Sequence, residues 1–172
     1  MVIPQGLPGH TEGGISPYLG RSRIYRILGV AEASWSYLSG LRSVELLRSK
    51  NKEEQDKLAN AINDFNTDRR STQSEIFEEA KALLDTASFP NSTVLYAPHW
   101  HKGVVGIVAS KMVEHYYRPT IILTKSGEVL AGSARSVLDF DVYDALEACE
   151  SHLLQFGGHK YAAGMTLDEA QL

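Results

Sequence analysis

The 172-residue sequence has one cysteine, Cys149, so it can form no internal disulfide, and a reducing, cytoplasmic setting is expected. No Cys/His spacing suits a metal ion. No uncharged apolar run approaches the roughly 20 residues of a bilayer span, and the N-terminus lacks the basic-then-apolar order of a secretory signal. A membrane partner is therefore not expected. Basic residues are not in excess: the formal charge is −4, which gives no global electrostatic footprint for nucleic acid and argues against a stand-alone, high-affinity DNA-binding domain. A local patch supplying a few phosphate contacts stays compatible. No paired-carboxylate motif and no Ser/His/Asp set is identifiable, which argues against a self-contained hydrolase. The length does suffice for a buried core, in one domain with appendages or in two small domains.

Residues 1 to about 22 are broken by Pro4, Gly6, Pro8, Gly9, Gly13, Gly14, Pro17 and Gly20 and read as a solvated arm. From Arg23 to Leu47 the apolar spacing is near helical, and Gly29 and Gly40 are expected to interrupt it, which predicts two short helices. Arg21, Arg23 and Arg26 read as a solvated face. Leu58, Ile62, Phe65, Ile76, Ala80, Leu83 and Leu84 then recur at helical steps from Asn51 to about Ser88 without a proline or glycine. That predicts a helix of roughly 50 Å, running between bodies or along a neighbouring domain. Its middle, Asn66 to Gln73, is poor in apolar residues and suggests a solvent-bridging segment. Phe89-Pro90-Asn91-Ser92 should end it.

The last eighty residues alternate strand and helix patterns. Strands are expected at Val94–Ala97, Thr120–Thr124, Val129–Ala134 and Met165–Leu167, and a helix from Val104 to Tyr116. Asp141 is expected to cap a further helix with its stripe at Val142, Ala145, Leu146, Cys149 and Leu153. Gly157-Gly158 would end that helix, and Asp168-Glu169-Ala170 would begin another. This predicts an α/β fold, a mixed sheet flanked by helices and preceded by a long helix.

Three groups stand at element ends, where binding residues are often placed. Trp100-His101-Lys102-Gly103 opens a helix whose N–H groups and dipole favour an anion; a loop with Trp100 folded over the core is the competing reading. In Gly132-Ser133-Ala134-Arg135-Ser136, small residues flank an arginine suited to bidentate phosphate or carboxylate binding, unless Asp139 or Asp141 pairs with it. In Phe156-Gly157-Gly158-His159-Lys160-Tyr161-Ala162-Ala163-Gly164, little bulk surrounds one histidine, which fits either close approach of a ligand or a helix cap. Together they suggest an anion-binding site without its own chemical engine.

These three motifs, in this order and with these separations, resemble the DHH-associated domain of the RecJ family of single-stranded-DNA-specific exonucleases. Ser43-Val44-Glu45-Leu46-Leu47 and the following helix, with Asn66 and Arg69-Arg70, are similar to the segment joining that domain to the catalytic one. The resemblance spans roughly residues 43 to 172. It implies an arm with short helices at 1–47, a connecting helix at 48–92, and a nucleic-acid-binding domain at 93–172, truncated at its C-terminus. It also implies metal-dependent 5′-to-3′ hydrolysis of single-stranded DNA by the parent protein, with Mn or Mg held in an Asp-His-His domain absent from this sequence.

Carried over by position, Arg135 and His159 would face the DNA backbone, with Ser133, Gly157 and Gly158 beside them and Trp100, His101, Lys102 and Gly103 holding a phosphate. Related domains also occur in phosphoesterases acting on very short RNA or phosphorylated nucleotides, and in alanyl-tRNA synthetase. A non-catalytic nucleic-acid-binding module is the reading from a different class. The chain alone is expected to lack processive nuclease activity: manganese-dependent nucleotide release from 5′-labelled single-stranded DNA by pure chain would refute this.

Overall fold

The computed structural model describes residues 37–85 and 91–172, which fall into two compact units divided between Asn66 and Thr67. The arm at 1–22, the arginines at 21, 23 and 26, Gly29, Phe89 and Pro90 lie outside the described residues. In the first unit, helix α1 (Tyr37–Arg48) runs straight through Gly40, so the expected interruption there does not occur. Helix α2 (Lys52–Asp85) begins at Asn51, whose side-chain oxygen accepts from the Glu53 amide at 2.9 Å and satisfies one of the free N–H groups of the first turn. Leu46 and Ile62 are buried together, with Leu47, Leu58 and Ala59 packed around them. The guanidinium of Arg42 lies 5.0 Å from the Phe65 ring centroid. Helix α2 has 34 residues and continues into the second unit without a break, as its lack of glycine and proline requires. Its middle is not wholly solvated: Asn66 and Gln73 are both buried, and Gln73 accepts from Arg69.

The second unit is built on a five-stranded mixed sheet. Strands β1 (Thr93–Tyr96) and β2 (Thr120–Ser126) are parallel, joined through helix α3 (Lys102–Tyr116), as a parallel pair requires a crossover. The remaining pairs are antiparallel: β3 (Val129–Arg135), β4 (Gln155–His159) and β5 (Ala162–Leu167) complete the order β1-β2-β3-β5-β4. Two-residue turns close both hairpins, at Gly127-Glu128 and at Lys160-Tyr161. Helix α3 packs on one face, where Val104, Val105, Val108, Ala109 and Met112 are buried, and ends at Tyr117 in the left-handed region with φ 49°. The opposite face carries Leu123, Leu130, Ala134, Ala163, Met165 and Leu167 under Val142 and Leu146 of the short helix α4 (Val142–Glu147).

The sequence pattern overestimates α4. Asp141 caps it as expected, accepting from the Tyr143 and Asp144 amides, but it ends at Glu147 and leaves Cys149 exposed. A single 3-10 turn, Glu150–His152, follows, and then the Leu154 amide donates to the Thr166 carbonyl as the chain enters the sheet. Gly157-Gly158 therefore lies inside strand β4 and does not cap a helix. A second 3-10 turn, Glu169–Gln171, stands where a helix was expected to begin.

Helix α2 is fastened to the β1–α3 loop at one carboxylate. The Trp100 indole donates to Glu79 at 2.9 Å, and His99 Nε2 lies 3.0 Å from the same oxygen. The hydrogen bond from Trp100 foremost holds the Glu79 carboxyl below its usual 4.5, against a smaller opposing effect of burial. A depressed carboxyl contributes stability above its unfolded pKa and loses it as pH falls through the folded one. In a Trp35→Phe background, acid titration should thus give a Trp100 fluorescence transition below pH 4.5 that Glu79→Gln abolishes. An unchanged transition in that variant would show that the clasp contributes nothing.

Candidate functional site

Alternation along β3 decides what the site contains. Leu130 and Ala134 point into the apolar core beneath α4, so Ala131, Ser133 and Arg135 point to the α3 side. Helix α3 lies against β2 and β3. Beyond it, the same face of β5 and β4 presents exposed or half-exposed residues, and the register sorts them into rows. One row runs Thr120, Arg135, Ala162, His159; the next runs Ile122, Ser133, Gly164, Gly157; a third runs Thr124, Ala131, Thr166, Gln155. Directly paired residues share a face, so Arg135 and His159 stand two strand spacings apart, about 10 Å, with only the methyl of Ala162 between them. Between Ser133 and β4 there is no side chain at all, because Gly164 pairs with Gly157. The shallow concavity there, about 410 Å³, is lined by Gln155, Gly157, Gly164 and Thr166 among others.

Arg135 is half buried, and its polar contacts are made with neutral groups. Its Nε donates to the Ser110 hydroxyl at 3.2 Å and its Nη1 to the Ala134 carbonyl at 2.8 Å. Gly106, one turn before Ser110 on α3, makes room: a Cβ there would sit 3.0 Å from Arg135 Nη2 and 3.2 Å from Ser133 Oγ. Among the described residues no carboxylate forms a salt bridge with Arg135, so neither Asp139 nor Asp141 is its partner. Burial alone lowers its pKa from the ordinary value. A guanidinium partly stripped of water and left without a counter-charge favours any anion that reaches it.

His159 is exposed at the end of β4. Its Nδ1 accepts from the Tyr161 amide at 3.3 Å, so in the neutral ring the proton sits on Nε2, available to a ligand. The paired glycines behind it have separate reasons. Gly158 has φ 153°, and a Cβ there would lie 2.3 Å from the Ala162 carbonyl oxygen; the hairpin needs glycine. A Cβ at Gly157 would meet nothing within 4 Å, so the fold makes no such demand.

The Trp100–Gly103 loop is placed differently. Trp100 is buried, and its carbonyl accepts from Thr124, whereas Arg135 pairs with Thr120 at the opposite end of β2. His101 Nδ1 accepts from the Gly103 amide at 3.1 Å, which occupies an N–H expected to meet an anion. Lys102 Nζ lies within 3.4 Å of Ser126 Oγ. The structure thus aligns Ser133, Arg135, Gly157 and His159 on one open face, carries Gly158 as a structural element beside them, and leaves Trp100 to Gly103 at the other end of the neighbouring strand. Pattern reading missed Ser110 as a partner of Arg135. Its spacing of four from Gly106 puts both on one helix face, but which strand that face meets is a matter of topology.

The family described as the DHHA1 domain matches residues 91–172, the stretch that holds all five strands of this sheet. Over those residues the chain carries a DHHA1 domain, and it is similar in sequence and in fold to RecJ. It is 39% identical over 128 residues to the single-stranded-DNA-specific exonuclease RecJ of Bacillus subtilis, spanning 73% of this chain and 16% of that protein. Identity to RecJ of Escherichia coli is 36% over 122 residues, or 65% of this chain and 21% of that one. The crystal structure of RecJ from Thermus thermophilus in complex with Mg2+ superposes with a TM-score of 0.73 and 29% identity, covering 86% of this chain and 22% of that one. A crystal structure of exonuclease RecJ bound to manganese gives 0.72 and 30%, covering 90% and 39%. The chain spans no more than about a quarter of the curated relatives' length, 16% to 24%.

Among the described residues no three His, Cys, Asp or Glu side chains are grouped to hold a metal ion, so those residues do not fit the ions of the solved relatives. No helix of the described residues is long and apolar enough to cross a membrane. The two glycines should separate in mutagenesis. Gly158→Ala is expected to cost about 3 kcal/mol through backbone strain and collision, while Gly157→Ala should leave stability within about 1 kcal/mol of wild type. Urea melts of the two variants check this, and equal losses would contradict the assignment.

Proposed function

We propose that this chain is the strand-gripping portion of a RecJ-like, metal-dependent exonuclease that degrades single-stranded DNA from the 5′ end. The observation that carries the reading is Arg135, a half-buried guanidinium with neutral hydrogen-bond partners beside an open shelf of small residues. Burial of an unpaired cation is costly, and a phosphodiester oxygen offsets that cost while taking a charged hydrogen bond. His159 would supply a second donor through Nε2–H, and Gly157 and Gly164 would let a sugar-phosphate backbone lie close to the sheet. Ser133 adds a hydroxyl at the β3 end of the glycine row. Lys102 would meet the strand further along, and Trp100 would act by supporting that loop.

Hydrolysis of the phosphodiester would draw on Mn or Mg held by an Asp-His-His domain elsewhere in the parent protein, which supplies activated water and charge neutralisation. The role of this chain's own groups is to bind and orient the phosphate, so that donors are already aimed at the oxygens on which charge develops. The similarity to proteins named as single-stranded-DNA-specific exonucleases supports this substrate class. The domain division at 48–92 and 93–172 belongs to the same proposal, with helix α2 as the connection.

The test is titration of a fluorescent oligo-dT with the chain across a range of salt. Arg135→Ala should weaken binding by about tenfold or more, and the slope of log affinity against log salt should fall by about 0.7. His159→Ala should weaken it less. Wild-type affinity in both variants would remove the assignment.

A further inference from the structure

The end of the sheet that carries Arg135 and His159 also carries large apolar side chains in the open: Leu138 is 65% exposed, Phe140 41% and Tyr161 45%. They come from two segments, the β3–α4 loop and the β4–β5 turn. Ser136, the residue after Arg135, ties the segments together. Its amide donates to the Tyr161 carbonyl at 3.0 Å and its hydroxyl to the Phe140 carbonyl at 2.8 Å. The Val142 amide adds a bond to the Lys160 carbonyl at 3.0 Å. The backbones that bear Phe140 and Tyr161 are therefore both tied to Ser136, the neighbour of Arg135.

We propose that Phe140 and Tyr161 form a stacking platform for a base of single-stranded nucleic acid, next to the phosphate held by Arg135. The inference rests on the phosphate-gripping reading above and extends it from the backbone to the bases. The charges around the patch favour this occupant. Arg135, His159 and Lys160 lie on the row and turn beside it, and the Lys160 ammonium is 5.6 Å from the Tyr161 ring centroid. Asp141 spends its carboxylate on the Tyr143 and Asp144 amides. Asp139, between Leu138 and Phe140 at φ 69°, would repel a phosphate there. Uncharged bases are the part of a strand that can cross this loop while its phosphates stay with Arg135. Every base offers a π-face, so such a platform grips the strand without reading sequence.

The experiment compares binding of the full chain to labelled oligo-dT and to an abasic oligonucleotide of equal length and charge. Wild type should prefer oligo-dT. The double variant Phe140→Ala/Tyr161→Ala should lose at least about fivefold in affinity for oligo-dT while keeping its affinity for the abasic strand within about twofold; Tyr161→Phe should behave as wild type. Arg135→Ala should weaken both oligonucleotides alike. If Arg135→Ala does so and the double variant matches wild type on oligo-dT, the phosphate site stands and the platform is refuted, which leaves the patch to another part of the parent protein. Equal losses on both oligonucleotides in the double variant, or no wild-type preference for bases, also refute the platform. If Arg135→Ala changes neither, the phosphate reading falls and the platform with it.

Discussion

The two-residue period of strand β3 is the constraint on which the rest depends. A strand buried on both faces must satisfy two neighbours at once, and β3 does so by giving Leu130 and Ala134 to the core beneath α4 while Ser133 and Arg135 face α3. A shift of one residue in its pairing would put the guanidinium into the apolar core and a leucine on the α3 side. Gly132 reinforces the register, since a Cβ there would lie 2.5 Å from Leu123. Core packing and the proposed anion site are thus two sides of one alignment.

What was legible in the sequence follows the range of the interactions involved. The long helix, the crossover unit from β1 through α3 to β2, and the Asp141 cap all rest on local periodicity or on contacts a few residues apart, and each could be read directly. The Gly157-Gly158 pair could not. After an apolar helical stripe it looks like a helix end, but the stripe is cut short because β5 offers hydrogen-bond partners to the chain from Leu154 onward. Hairpin pairing with the strand that follows overrode the helical pattern. The same limit applies to the site. Each motif could be recognised by its small residues, but that Arg135, Ala162 and His159 share a row while Trp100 lies at the far end of β2 is a fact of register.

Two of the motif residues proved to have structural reasons for being there. Trp100 is buried against Glu79, and Gly158 is demanded by its backbone. Arg135 and Gly157 have no such explanation: the first carries an uncompensated charge, and the second faces open space. Residues whose identity the fold does not require are the better guide to a ligand, and they single out the β3–β5–β4 face.

The strand order also bears on how the site comes into being. β2–β3 and β4–β5 are each closed by a two-residue turn, so each hairpin can assemble from its own neighbourhood. The pairing of β3 with β5 has no such shortcut, because α4 and β4 intervene, and it carries the larger loop-closure cost. Arg135 belongs to one hairpin and His159 to the other. A chain with both hairpins formed but unjoined would have Arg135 and His159 on separate pieces, so the proposed grip on an anion depends on the least local contact of the antiparallel sheet.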